Sequence, residues 1–302
     1  MRQPLDFDTD GAHWPHREFS RFVEAAGLRW HVQWAPCPHP GAPTVVLLHG
    51  TGASTHSWRD LLPLLQEQQT VLAIDLPGHG FSAMPEGAAV AELCSLPGMA
   101  RGVAALLQTL QVTPDTVVGH SAGAALACRM ALDGLLAPTR LVSINGALLP
   151  LDGWAGQFFS PMAKLLAKAP LVPELFSWRA AQSDVLQKLL DGTGSRLDAT
   201  GRDLYRQLIR NPGHAGAALA MMAHWDLHTL AQDLPALRTP LSLVVGAQDV
   251  IVPPQVAYRV AAALRQQSPQ PVQVLPGLGH LAHEEQPQAI AALLNTPQSH
   301  SR

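Results

Sequence analysis

The chain has 302 residues, 47% of them apolar and 14% charged, with a formal net charge of −3. That length supports one large domain, or a domain carrying an insertion, around a substantial core. The absence of any basic block excludes a nucleic-acid partner, and no apolar run approaches the roughly 20 residues of a membrane-spanning helix.

The opening MRQPLDFDTD is acidic and lacks a hydrophobic stretch, so no signal peptide is expected. Two short β-rich runs follow, SRFVEA and LRWHVQWA, joined through Ala26 and Gly27. The second alternates with period two, which predicts an antiparallel hairpin at a sheet edge. After the proline-rich PCPHPGAP the pattern changes to short, β-branched, almost wholly apolar runs. These are TVVLLHG (44–50), TVLAIDLPG (70–78), TVVGH (116–120), RLVSING (140–146) and LSLVVGAQD (241–249), with PVQVLPGLGH (271–280) a weaker sixth. Continuous apolar strands belong in a sheet covered on both faces.

Helical patterns lie between them: HSWRDLLPLLQEQ, PGMARGVAALLQTLQV, SAGAALACRMALDGL, PPQVAYRVAAALRQQ and EQPQAIAALLNT. Strands alternating with helices predict a mostly parallel, doubly wound α/β sheet. From about 147 to 238 no strand is evident, only pieces such as FFSPMAKLLAKA, LYRQLIR and AGAALAMMAHWDL. The expectation is a core formed by 1–146 and 239–302, with a helical cap inserted at 147–238. The three scattered cysteines, Cys37, Cys94 and Cys128, suit reduced thiols in a cytoplasmic protein better than a disulfide framework.

In open α/β sheets, ligands bind beyond the carboxyl ends of the strands. Gly119-His120-Ser121-Ala122-Gly123 fits G-x-S-x-G, with a strand before it and a helix after. Asp249 and His280 stand at later strand ends, giving the order Ser, Asp, His of an α/β-hydrolase triad. Each residue type has a task. Ser121 needs a base to take its proton, and a neutral imidazole suits that near pH 7. Asp249 would fix the imidazole tautomer and stabilise the imidazolium. The backbone N–H groups of Thr51 and Ala122 are the natural oxyanion donors.

Competing roles exist for several of these residues. Asp249 could instead cap the helix near Pro253, and His283 competes with His280, although Gly279-His280 directly follows the last strand. His49 and His79 read as turn-stabilising residues, and His120 as a residue shaping the elbow. For metals, His224 and His228 have i,i+4 spacing and could share a helix face, but no H-E-x-x-H accompanies them and no closed metal site is expected. GTGSRLD (192–198) is Gly-rich but lacks a phosphate-binding Lys, and no cofactor is expected.

The whole arrangement resembles the α/β-hydrolase family with a helical cap. It differs from the haloalkane dehalogenase and epoxide hydrolase branches, whose nucleophile is an aspartate where this chain has Ser121. Longer motifs are more specific: FVEAAGLRWHVQ, HGTGASTHSWRDL, DLPGHGFS, SLPGMA, GHSAGAA, SINGALLP, NPGHAGAALAMMAHWDL and LPGLGHLAHEE. Across about residues 8–292 they resemble the magnesium-chelatase accessory family of bacteriochlorophyll biosynthesis, often called BchO. The resemblance implies a place near magnesium insertion into protoporphyrin IX, with magnesium chelatase subunits as partners. It leaves the reaction open. A triad implies hydrolysis of an ester-like or acyl bond, and the apolar cap would suit an apolar small molecule such as a porphyrin ester. Apolar cap helices could equally pack on their own core. A non-catalytic accessory protein, a general carboxylesterase and a carbon–carbon bond hydrolase are the alternatives. A cytoplasmic location is expected, with peripheral contact to the photosynthetic membrane as a variant of it.

Overall fold

The computed structural model describes residues 5–150, 179, 183–264 and 271–295. Ser20–Ala25 (β1) and Leu28–Ala35 (β2) form the expected hairpin, with Ala25 opposite Leu28. Its two linking residues, Ala26 and Gly27, have φ of 51° and 71°. Positive φ at both positions gives the primed turn whose twist matches paired strands. β1 is the sheet edge, whereas β2 is mostly buried. The N-terminal segment contacts it, and Gln33 Nε2 donates to the Pro15 carbonyl at 2.5 Å.

The remaining strands are Thr44–Leu48 (β3), Thr70–Ile74 (β4), Thr116–His120 (β5), Arg140–Ile144 (β6), Leu241–Gly246 (β7) and Gln273–Leu275 (β8). Helices Leu62–Gln66 (α1), Ala89–Leu93 (α2), Leu96–Thr109 (α3) and Ala122–Leu132 (α4) lie between strands of the first half. Between β6 and β7 the described chain is helical: Ser183–Asp191 (α5), Ala199–Arg210 (α6), Pro212–His224 (α7) and His228–Asp233 (α8). Pro254–Ala263 (α9), Ala282–Glu285 (α10) and Pro287–Asn295 (α11) complete the chain. The expected cap at 147–238 thus falls partly outside the described residues, as does all of FFSPMAKLLAKA.

One eight-stranded sheet runs in the order β1-β2-β4-β3-β5-β6-β7-β8. β2 pairs antiparallel with both neighbours, and every later pairing is parallel. The apolar runs follow from burial on both faces. In β3, Val46 and Leu48 join the layer containing Met99, Val103 and Leu126, while Val45 and Leu47 join Trp58, Leu62 and Ile290. Fully burying one such side chain contributes about 1.5–3 kcal/mol, so these alternating faces fix the register of the strands against the helices. The order reverses around β3, and the turns after β3, β4 and β5 meet at that switch point. Among the described residues no helix is long and apolar enough to cross a membrane.

Asp75, just past β4, ties these turns together. Its carboxylate accepts from His31 Nδ1 (2.7 Å), the Thr55 N–H (2.7 Å) and the Phe81 N–H (3.0 Å). Burial alone would raise its pKa, but His31 and the hydrogen bonds outweigh that and hold it at about 2. Because this lies below the unfolded value of about 3.9, the stabilisation is complete above that value and is lost as pH falls through about 2. Asp75→Ala leaves His31 and two N–H groups buried without their acceptor. It should cost about 3–5 kcal/mol in denaturant unfolding at pH 7; a loss under about 1 kcal/mol would contradict this role.

Candidate active site

Ser121 sits between β5 and α4 with φ 51° and ψ −115°. A non-glycine residue in this sparsely populated region carries about 1–3 kcal/mol of strain. The flanking glycines permit the turn. A Cβ on Gly119 would lie 2.4 Å from the backbone N of Ala124, and one on Gly123 would lie 2.1 Å from the Leu48 carbonyl oxygen. The Ser121 N–H donates to the Ile144 carbonyl (3.0 Å), and the Ser121 carbonyl accepts from Ala124 and Ala147 (each 3.1 Å). The main chain is therefore held on both sides of the hydroxyl.

His280 and Asp249, 31 residues apart in sequence, meet through a 2.8 Å bond from Nδ1 to Asp249 Oδ2. This leaves His280 Nε2 as the ring nitrogen for the cavity. Asn145 Nδ2 donates to the same Asp249 oxygen (2.7 Å). Oδ1 accepts from the Ile251 and Val252 N–H groups (2.8 Å each), so Asp249 also braces the turn toward α9. The His280 N–H donates to the Thr193 carbonyl (3.0 Å), and the Leu281 N–H donates to Ser195 Oγ (2.8 Å). His120 Nε2 donates to the His280 carbonyl (2.9 Å). Ser121 and His280 line one cavity but do not hydrogen bond to each other in this structure. Such contacts are often loose before substrate binds.

Thr51 and Ala122 line the same cavity. Ala122 begins α4, so its N–H has no acceptor within the helix. The Gly50 carbonyl accepts from His49 Nδ1 (2.8 Å) and the Ala53 N–H (3.2 Å). In a trans peptide the N–H opposes the carbonyl, so these bonds set the direction of the Thr51 N–H. His49 Nε2 accepts from Leu76 (3.0 Å), which makes Nδ1 the protonated nitrogen. His49 thus stabilises a turn, as its position in the sequence implied.

The other histidines separate clearly. His283 is fully buried, and burial pushes its pKa down to about 3, too weak for a base near neutrality. Burial likewise holds His120 and His79 well below the usual imidazole range. His224 and His228 do not share a helix face. His224 ends α7 with Nδ1 bonded to the Ala220 carbonyl (2.8 Å), and His228 begins α8 beside Asp226 (2.9 Å). Asp226 and the residues around it interrupt the helix, which corrects the spacing argument. No cluster of three or more metal-ligating side chains occurs among the described residues.

The cavity measures about 330 Å³ and is lined mainly by apolar side chains such as Leu186, Leu190, Ile209, Leu219, Met222 and Trp225. No Lys, Arg, Asp or Glu is among its described lining. Tyr205 on α6 also borders it, with its hydroxyl donating to Glu284 Oε1 (2.8 Å), while Arg59 holds Glu284 Oε2 (2.5 Å). Burial raises Glu284 to about 7 against the pull of Arg59.

A sequence model of the alpha/beta hydrolase family matches residues 45–293. The chain is 37% identical over 286 residues to the magnesium-chelatase 30 kDa subunit of Rhodobacter capsulatus, covering 94% of this chain and 95% of that protein. It is 26% identical to the uncharacterized hydrolase YugF of Bacillus subtilis, covering 86% and 92%. Among solved structures, an alpha/beta hydrolase fold protein from Burkholderia ambifaria superposes with a TM-score of 0.73 at 22% identity, covering 98% and 99%. That last likeness concerns the fold.

The strain at Ser121 is directly measurable. Ser121→Ala keeps a Cβ at positive φ, whereas Ser121→Gly releases it. Gly costs about 0.5–1 kcal/mol in chain entropy, so after relief of strain the Gly variant should be about 1 kcal/mol more stable than the Ala variant. An Ala variant more stable by that amount would contradict a strained elbow.

Proposed function

The chain belongs to the alpha/beta hydrolase family, and from that premise we propose that it is a serine hydrolase cleaving a neutral, apolar ester or related acyl bond. The observation that carries this reading is convergence on one apolar cavity. Ser121, His280 held by Asp249, Thr51 and Ala122 all border the same space. In this reading the described helices between β6 and β7 cap the site, and α5, α6 and α7 supply most of its apolar wall.

In this mechanism Ser121 Oγ attacks the carbonyl carbon while its proton passes to His280 Nε2. Asp249 holds Nδ1–H and stabilises the imidazolium. The carbonyl oxygen becomes an oxyanion that accepts from Thr51 and Ala122. As the tetrahedral intermediate collapses, the bond to the leaving oxygen breaks and the Nε2 proton moves to it, leaving the acyl group on Ser121. Water, deprotonated by His280, then attacks the acyl carbonyl and releases the acid, restoring the serine hydroxyl.

With no charged side chain among the described lining, an anionic or cationic acyl group would lose its hydration without a partner. Each added methylene should instead gain about 0.8 kcal/mol. Along p-nitrophenyl acetate, butyrate and hexanoate, kcat/KM should rise by roughly 4-fold per buried methylene until the cavity fills. Ser121→Ala should lower turnover on the order of a million-fold. Undiminished turnover in that variant would sink the assignment.

A second reading is favoured by the 37% identity to a protein named as a magnesium-chelatase subunit. Under it the chain supports magnesium chelatase in bacteriochlorophyll synthesis, by binding the chelatase or its porphyrin. The two readings combine if the hydrolysis serves that pathway. A pigment-forming strain deleted for the gene distinguishes them: if hydrolysis is the role, wild type restores pigment and Ser121→Ala does not. Full restoration by Ser121→Ala would favour the non-catalytic role.

A further inference from the structure

Resting on the hydrolase reading above, we propose that His214, on α7, is a positioning residue that sets the oxyanion turn. His214 is buried and bridges two turns far from it in sequence. Its Nδ1 accepts from the Gly80 N–H at 3.1 Å, which places the ring proton on Nε2. Nε2–H then donates to the Gly52 carbonyl at 3.0 Å. Burial pushes the ring down to about 4, so this neutral tautomer persists across the working pH range.

The consequence runs through two peptide planes. The Gly52 carbonyl and the Ala53 N–H belong to one trans peptide and point in opposite directions. Ala53 N–H donates to the Gly50 carbonyl (3.2 Å), and that carbonyl shares its peptide with the Thr51 N–H. Fixing the Gly52 carbonyl therefore fixes the plane that aims the Thr51 N–H. Two more contacts seat α7 on the same turns: Thr51 Oγ1 donates to Met221 Sδ (3.5 Å), and Ala217 packs so tightly on Gly78 that a Cβ there would lie 2.5 Å from its own. The same helix lines the cavity with Ala215, Ala218, Leu219 and Met222. The helix that shapes the substrate wall thus also holds the oxyanion donor, and a displacement of α7 would change both together.

Three variants separate positioning from packing. His214→Gln keeps an N–H donor at the reach of Nε2, toward Gly52. His214→Asn keeps an acceptor near Nδ1, toward Gly80, and loses the donor to Gly52. His214→Ala loses both. The assay is p-nitrophenyl butyrate turnover, with an alkyl trifluoromethyl ketone as the probe of oxyanion stabilisation. Asn and Ala should lower kcat by about 10–100-fold, below the 100–1000-fold cost of losing a whole oxyanion donor. Ketone affinity should fall in step, KM should change little, and Gln should stay within about 3-fold of wild type. If Ala fails to fold, the comparison of Asn with Gln decides. Unchanged kcat and ketone affinity in Asn, or losses confined to KM or Tm, would overturn the positioning role. A wild-type protein that neither turns over the ester nor binds the ketone would overturn the hydrolase reading itself, and the role of His214 with it.

Discussion

A serine whose backbone is held at φ 51° is the constraint on which the site depends. An isolated peptide would relax out of that geometry. Here it persists because α4 approaches β5 at Gly119 and the end of β3 at Gly123 so closely that only hydrogen atoms fit there, and because main-chain bonds to Ile144, Ala124 and Ala147 close around the serine. The sheet's apolar burial supplies the stabilisation that offsets the strain. Fold and chemistry are linked at this point: loosening the strand–helix contact would drop the hydroxyl back into an ordinary turn.

Around this fixed point, the moving parts of the proposed reaction are held from the same side. The loop between α5 and α6 grips the histidine turn through Thr193 and Ser195, and α7 grips the oxyanion turn through His214. Tyr205 on α6 joins the buried Arg59–Glu284 pair close to His280. The helices inserted between β6 and β7 therefore do more than enclose apolar space. They share hydrogen bonds with the turns carrying His280 and Thr51, so in the proposed reaction substrate enclosure and alignment of the donors depend on one another.

Much of this was legible in the residues, for a physical reason. Strands buried on both faces must be continuous apolar runs, so polar residues mark their ends. Ser121 directly follows β5 and Asp249 lies just past β7. β8, in contrast, is largely exposed and ends at Leu275, so His280 stands on the turn beyond it and not directly after the strand as the sequence suggested. All eight strands and the Ala26-Gly27 hairpin lie where the pattern put them. Asn145 was missed, although the signal existed: it directly follows β6, the core strand to whose end no polar role was given, and it bonds Asp249. The grip of Thr193 and Ser195 on the histidine turn has no comparable signature, because one contact uses a backbone carbonyl and both span some 86 residues. His224 and His228 show the opposite failure, since their i,i+4 spacing allowed one helix face and the chain breaks the helix between them.

The proposed reaction requires that Ser121, and no other hydroxyl, be an activated nucleophile. The most direct measurement is mass spectrometry of the native protein after brief exposure to a fluorophosphonate, with the adduct mapped by peptide. A single adduct on Ser121 that vanishes when the protein is unfolded before exposure is the predicted result. No adduct on native protein, or one mapped to another residue while Ser121 stays free, would contradict it.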